Sequence, residues 1–204
     1  MLARKDSKVF GLIGSGVQGR GQLEAICSTI PFEEAYIFDL FKDNAKKLAE
    51  FATSKFGIQF KVAESIEFIA KKADVLSTST TSSSPILNSS MVSPGVHINA
   101  IGSNLPSRRE LDETLLRGSK IFVDSRDQAI EESGDLEPIK QGKIPKDAIF
   151  AELSEALVGS KQGRVNDSEI TIFKSVGVAL QDIATANLLF SRAIERKIGK
   201  EVKL

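Results

Sequence analysis

Three glycines, Gly14, Gly16 and Gly19, lie in the run Gly14-Ser15-Gly16-Val17-Gln18-Gly19, and their spacing points to phosphate binding. A G-x-G-x-x-G run alone is weak, because glycines also gather in ordinary turns. Here it follows the apolar run Val9-Phe10-Gly11-Leu12-Ile13 and opens a segment with helical spacing. A second apolar run, Ala35-Tyr36-Ile37-Phe38, ends in Asp39, about 20 residues past Gly19, the spacing of a dinucleotide fingerprint. Each part has a physical task. Gly14 permits the tight turn, Gly16 lets the backbone approach a pyrophosphate, and Gly19 lets the helix pack closely on the strand. The helix N-terminus, with Val17 and Gln18 in its first turn, offers free N–H groups and a positive dipole end to the phosphates. Asp39 accepts hydrogen bonds from ribose hydroxyls and repels a 2′-phosphate, which favours NAD; Lys42 close by leaves NADP open.

These residues need a scaffold of alternating strands and helices. Residues 18–30 have apolar positions near one helical face, and Pro31 ends that helix. A helix is expected over 42–56, stopped by Gly57, and a short strand over 60–62. Ser65 caps a helix running to Lys72. Strands are expected over 75–77, 96–101, 121–124 and 170–173. Helices are expected over 110–117, 126–133, 150–158 and 178–198, with a loop over 136–148. The rhythm implies an α/β, Rossmann-type, doubly wound and mainly parallel sheet with a long C-terminal helix. Residues 1–170 form the nucleotide domain and 171–204 a strand–helix segment. On the last helix Val176, Ala179, Leu180, Ile183, Ala184, Ala186, Phe190, Ala193 and Ile194 cover about half the circumference. Packing one helix on one sheet uses less than that, so surplus apolar surface should drive association, most simply into a twofold homodimer.

Composition narrows the classes. Acidic and basic residues balance at 27 each in 204 residues, which argues against a nucleic-acid or membrane-surface binder. One cysteine, Cys27, and one histidine, His97, leave no basis for a disulfide or an ordinary zinc cluster, so no metal is expected. Cys27 reads as a small core residue and His97 as structural. A polar start and the lone thiol suit the cytoplasm.

Beyond the glycine loop the chain resembles the family of ornithine cyclodeaminase, mu-crystallin and archaeal alanine dehydrogenase. The resemblance is carried by Leu2-Ala3-Arg4-Lys5-Asp6-Ser7, by Gly14-Ser15-Gly16-Val17-Gln18, and by Thr78-Ser79-Thr80-Thr81-Ser82. It continues in Pro94-Gly95-Val96-His97-Ile98-Asn99-Ala100-Ile101-Gly102, Arg109-Glu110-Leu111-Asp112 and Val123-Asp124-Ser125. It ends in Glu132-Ser133-Gly134-Asp135 and Phe173-Lys174-Ser175-Val176-Gly177 with Asp182 beyond. It implies an NAD(P)-dependent oxidoreductase acting on the C–N bond of a small amino or cyclic imino acid. Thr78, Ser79, Thr80 and Thr81 would pass beside the cofactor's phosphates and ribose. Gly102 and Ser103 would sit near the nicotinamide ribose, and Ser175, Val176 and Gly177 along the nicotinamide face. By themselves Ser175 and Gly177 read only as a helix start with a flexible neighbour.

Two departures from the family matter. Where cyclodeaminases carry an aspartate that does acid–base work on the substrate amine, this chain has Asn104. An amide exchanges no proton near neutral pH, though it can orient an amine or a water; Asn104 reads equally as a turn residue. That tips the expectation from cyclodeaminase towards dehydrogenase or imine reductase. Full-length relatives also carry an N-terminal portion that forms the dimer and holds the substrate carboxylate, and the last helix packs on it. The chain as given starts at that junction, so by itself it is expected to bind cofactor without turnover. A non-catalytic NAD(P)-binding or ligand-binding protein of mu-crystallin type is the alternative.

Overall fold

The computed structural model describes residues 1–200 and Val202; positions 201, 203 and 204, the end of the expected C-terminal segment, lie outside the described residues. Among the described residues eight strands form one sheet: β1 (Val9–Ile13), β2 (Glu34–Phe38), β3 (Phe60–Val62), β4 (Val75–Thr78), β5 (His97–Ala100), β6 (Ser119–Val123), β7 (Ile149–Glu152) and β8 (Ile170–Lys174). Their order is β3-β2-β1-β4-β5-β8-β6-β7. Every strand pairing is parallel. The helices are α1 (Val17–Cys27), α2 (Lys42–Phe56), α3 (Ile66–Lys72), α4 (Glu113–Arg117), α5 (Arg126–Glu132), α6 (Glu137–Lys140), α7 (Leu153–Leu157) and α8 (Ala179–Arg196).

Alternation along the strands sends successive side chains to opposite faces. Phe10 and Leu12 of β1 pack with Leu23 of α1 and Ala45, Leu48 and Ala52 of α2. Ile13, Leu76, Ile98 and Ile172 pack on the other face with Ile69, Leu115 and Ile130. Both faces are covered, as a parallel sheet requires. No helix among the described residues is long and apolar enough to cross a membrane.

Several boundaries differ from expectation for local reasons. α1 stops at Cys27 rather than near residue 30, because the Ser28 hydroxyl donates to the carbonyl of Glu24 at 2.7 Å and that of Thr29 to Ile26 at 2.9 Å. α4 begins at Glu113, since Asp112 caps it by accepting the Thr114 N–H at 2.6 Å. The stretch expected as loop carries α6 and two 3-10 turns, Gly134–Leu136 and Lys146–Ala148, with Leu136, Ile139 and Ile144 buried. The helix expected over 150–158 is corrected: it is the edge strand β7 followed by α7. Ile149 and Ala151 are buried while Phe150 and Glu152 are half-buried, a period of two that pairs with β6. α8 leaves its apolar stripe uncovered: none of its residues is buried.

Candidate functional site

Loops from four neighbouring strands, β1, β4, β5 and β8, enclose a cleft of about 330 Å³. It lies at their carboxyl ends and spans the β1/β4 boundary, where strand order reverses, the usual ligand position in an open parallel sheet. Gly14 sits at φ 95°, a left-handed backbone that favours glycine. A Cβ there would lie 2.7 Å from the Ser79 carbonyl oxygen, and one on Gly19 would overlap the carbonyl oxygen of Gly14. Gly16 differs. Its φ is −69°, and nothing lies within 4 Å of a Cβ built on it. Neither backbone strain nor packing requires glycine there, and the backbone at the helix start is left open to close approach. Gly16 starts α1 with no side-chain cap, so the first N–H groups of that helix are free.

Asp39 braces this loop. Its Oδ2 accepts the amide and hydroxyl of Ser15 at 2.8 and 2.6 Å, and its Oδ1 accepts the Phe41 N–H at 2.9 Å. Burial pulls its pKa up, but these bonds outweigh it and hold the carboxyl below its ordinary value. A carboxylate has about four acceptor positions and three are taken, so capacity remains for one ribose hydroxyl.

The middle wall hangs on Glu110. One carboxylate oxygen accepts the Thr80 N–H at 2.6 Å; the other accepts the Thr78 hydroxyl at 2.8 Å and the Gly102 N–H at 2.9 Å. Asp135 in turn accepts the N–H groups of Glu110 and Leu111 at 2.6 and 2.8 Å. Its second oxygen faces the Lys174 ammonium at 3.4 Å, a charge contact without a formed hydrogen bond. Lys174 donates to the Ala100 carbonyl at 2.9 Å. Glu110, Asp135 and Lys174 are all wholly buried. Burial and the neighbouring Asp135 carboxylate raise the Glu110 pKa, against the Thr80 and Thr78 hydrogen bonds and the Lys174 charge; burial lowers that of Lys174, against the charges of Asp135 and Glu110. The far wall hangs on Asp124, whose Oδ2 accepts the Ser175 hydroxyl at 2.8 Å and the N–H groups of Val176 and Gly177 at 2.9 and 2.7 Å.

A model of the ornithine cyclodeaminase/mu-crystallin family matches residues 1–197. The chain belongs to that family. It is 38% identical over 204 residues to the Delta(1)-pyrroline-2-carboxylate reductase of Bacillus cereus, covering 99% of this chain and 62% of that protein. A structure of the Thermococcus litoralis Delta(1)-pyrroline-2-carboxylate reductase with NADH and L-proline superposes with a TM-score of 0.95 at 44% identity, covering 98% of this chain and 62% of that one. An archaeal alanine dehydrogenase dimer with bound NAD gives 0.93 at 37% identity, over 100% and 62%. The chain thus spans about 62% of the length of these relatives.

In this member of the ornithine cyclodeaminase/mu-crystallin family, most of the residues singled out from sequence meet in one place. Gly16, Val17, Gln18, Ser79, Thr80, Thr81, Gly102, Asn104, Ser175, Val176 and Gly177 all line the cleft. Gly14, Gly19 and Asp39 shape and brace its loop instead. Thr78 and Ser103 are buried and turned away: Thr78 to Glu110, and Ser103 to the Arg108 carbonyl at 2.5 Å while accepting the Asp135 N–H at 3.0 Å. Their side chains hold the wall rather than line it. Asn104 accepts from Arg108 Nη1 at 3.2 Å, which leaves its amide N–H groups free in the cleft. Sequence reasoning gave no role to Glu110, Asp124, Asp135 and Lys174. Asp124 and Lys174 carried the signal already read at Asp39, a charged residue closing an apolar strand.

His97 opens β5, so it lies at the opposite end of that strand from the cleft. Its ring bonds Thr171 Oγ1 at 2.9 Å, and burial pushes its pKa down to about 4, so it is neutral and structural. Burial pushes the Cys27 thiol up to about 12, which leaves no thiolate for chemistry. Among the described residues no group of three or more His, Cys, Asp or Glu could hold a metal.

Proposed function

We propose that this chain is the NAD-binding part of an oxidoreductase that acts on the C–N bond of a small amino or cyclic imino acid. The reading rests on the convergence, in one cleft, of an uncapped helix N-terminus, the open approach at Gly16 and the loops bearing Asn104 and Ser175. Family membership supports it. The N–H groups at the start of α1 hold the pyrophosphate and Asp39 the adenosine ribose. A second cleft, of about 500 Å³, is lined by Phe38, Ile66, Ile86, Leu87 and Met91 and suits the adenine ring. Glu64 and Glu67 on its rim add to the repulsion of a 2′-phosphate. When bound, the nicotinamide supplies or accepts a hydride at the substrate's α-carbon. Asn104 orients the substrate nitrogen or a water but moves no proton near neutral pH.

In the proposed division, β8 of the 171–204 segment is built into the sheet of the cofactor domain and α8 is left to meet a partner surface. Homodimerisation and a cytoplasmic setting belong to the same reading. The 204-residue chain assayed alone is expected to bind cofactor without turnover.

The test is NADH consumption by the gene's complete product with cyclic imino acids, or with pyruvate and ammonia. Turnover is expected with one of these. Conversion of ornithine to proline should run at least about 100-fold slower, the usual worth of a missing acid–base group. Fast ornithine turnover would contradict the role given to Asn104, and affinity without any turnover would mark a binding protein.

A further inference from the structure

Behind the cleft walls lies a set of charges that the hydride chemistry does not use. Glu110 holds the wall made by Thr80 and Gly102, and Asp124 holds the wall at 175–177. Each oxygen of Glu110 accepts a backbone N–H, that of Thr80 on one and that of Gly102 on the other, an arrangement that suits the ionised form. Glu110, Asp135 and Lys174 are wholly buried, with the ammonium 3.4 Å from Asp135, while Asp124 is half-buried and Arg108 lies on the cleft's lip. The buried surplus is negative. It lies at the β5/β8 end of the cleft, away from Asp39. A dinucleotide laid across the strand-order reversal, with its adenosine at Asp39 and its pyrophosphate at α1, puts the nicotinamide at that end.

We propose that Glu110 and Asp124 are positioning residues that also set the field at the nicotinamide end, favouring the oxidised, cationic ring over the reduced, neutral one. This rests on the reading of the cleft as an NAD site. Neither carboxylate lines the cleft. They act through the N–H groups they fix and through their charge, which water screens weakly at the buried Glu110 and more at the half-buried Asp124. In the reductive direction the ring gains positive charge, so the same field aids imine reduction.

The test compares Kd for NAD+ and for NADH on the 204-residue chain by calorimetry, for wild type, Glu110→Gln, Asp124→Asn and Asp39→Ala. Glu110→Gln removes the charge and aims an amide N–H2 at a backbone donor. The ratio of Kd for NAD+ to Kd for NADH should rise about fivefold. Asp124→Asn should move it the same way by about threefold. Asp39→Ala, at the adenosine end, should weaken both forms alike. A purely structural role lowers melting temperature or weakens both forms equally, and an unchanged ratio in both wall variants would overturn the proposal. Should Glu110→Gln fail to fold, Asp124→Asn decides. Failure of wild type to bind either form would instead overturn the cofactor reading itself.

Discussion

Asp135→Ala is expected to destabilise the chain by about 3–5 kcal/mol, enough to unfold it near physiological temperature. The change removes the acceptor of the N–H groups of Glu110 and Leu111, both inside the core. It also leaves the Lys174 ammonium buried without its nearest carboxylate, which lies at 3.4 Å. A buried charge stripped of its partner costs far more than the pair gains over an apolar core. Asp135→Asn keeps an acceptor for the two N–H groups and should cost clearly less. Denaturant unfolding of both variants measures the difference. A loss below about 1 kcal/mol for the alanine variant would show that the cluster is solvated rather than sealed.

Association through α8 is the second large effect expected. Leu180, Ile183, Phe190 and Ile194 are all exposed, and exposure along the helix runs from 50% at Leu188 to 73% at Leu180 for its large apolar residues. Gln181, Thr185, Arg192 and Arg196 occupy the opposite side. An apolar stripe of this length left in water is a contact surface. The lowest-order way for identical chains to bury it is a twofold pairing of the helices. Each large apolar side chain buried in that pairing contributes roughly 1.5–3 kcal/mol, so Ile183→Glu with Phe190→Glu should return the chain to monomer. Light scattering on wild type and the double variant reads this directly. A wild-type monomer at high concentration, unaffected by the two charges, would contradict it.

Much of the architecture is legible because it rests on local pattern. The glycine loop, the strand before it and Asp39 after the next strand form a short-range signature. The helix at 42–56 announces itself by period and by Gly57, whose φ of 73° ends it. What escaped reading depends on distant partners. Ile149-Phe150-Ala151-Glu152 becomes a strand only because β6 offers an edge, and four residues carry too little periodicity to outweigh the apolar residues that follow. Glu110 looks like a helix-start acid in the sequence. Its task appears only when Thr78, Thr80 and Gly102, up to 32 positions away, bring their donors to it. Ser103 shows the converse: its neighbours line the cleft, while its own hydroxyl is tied back to Arg108 and Asp135.

Cofactor choice tests the central claim most directly. Titration calorimetry of the 204-residue chain with NADH and with NADPH should show NADH bound at least about tenfold more tightly, since Asp39 meets a 2′-phosphate with like charge. Asp39→Ala should weaken NADH and narrow the preference, because it removes both the ribose acceptor and the brace on Ser15 and Phe41. Tighter binding of NADPH to wild type, or no binding of either, would contradict the reading of this cleft as an NAD site.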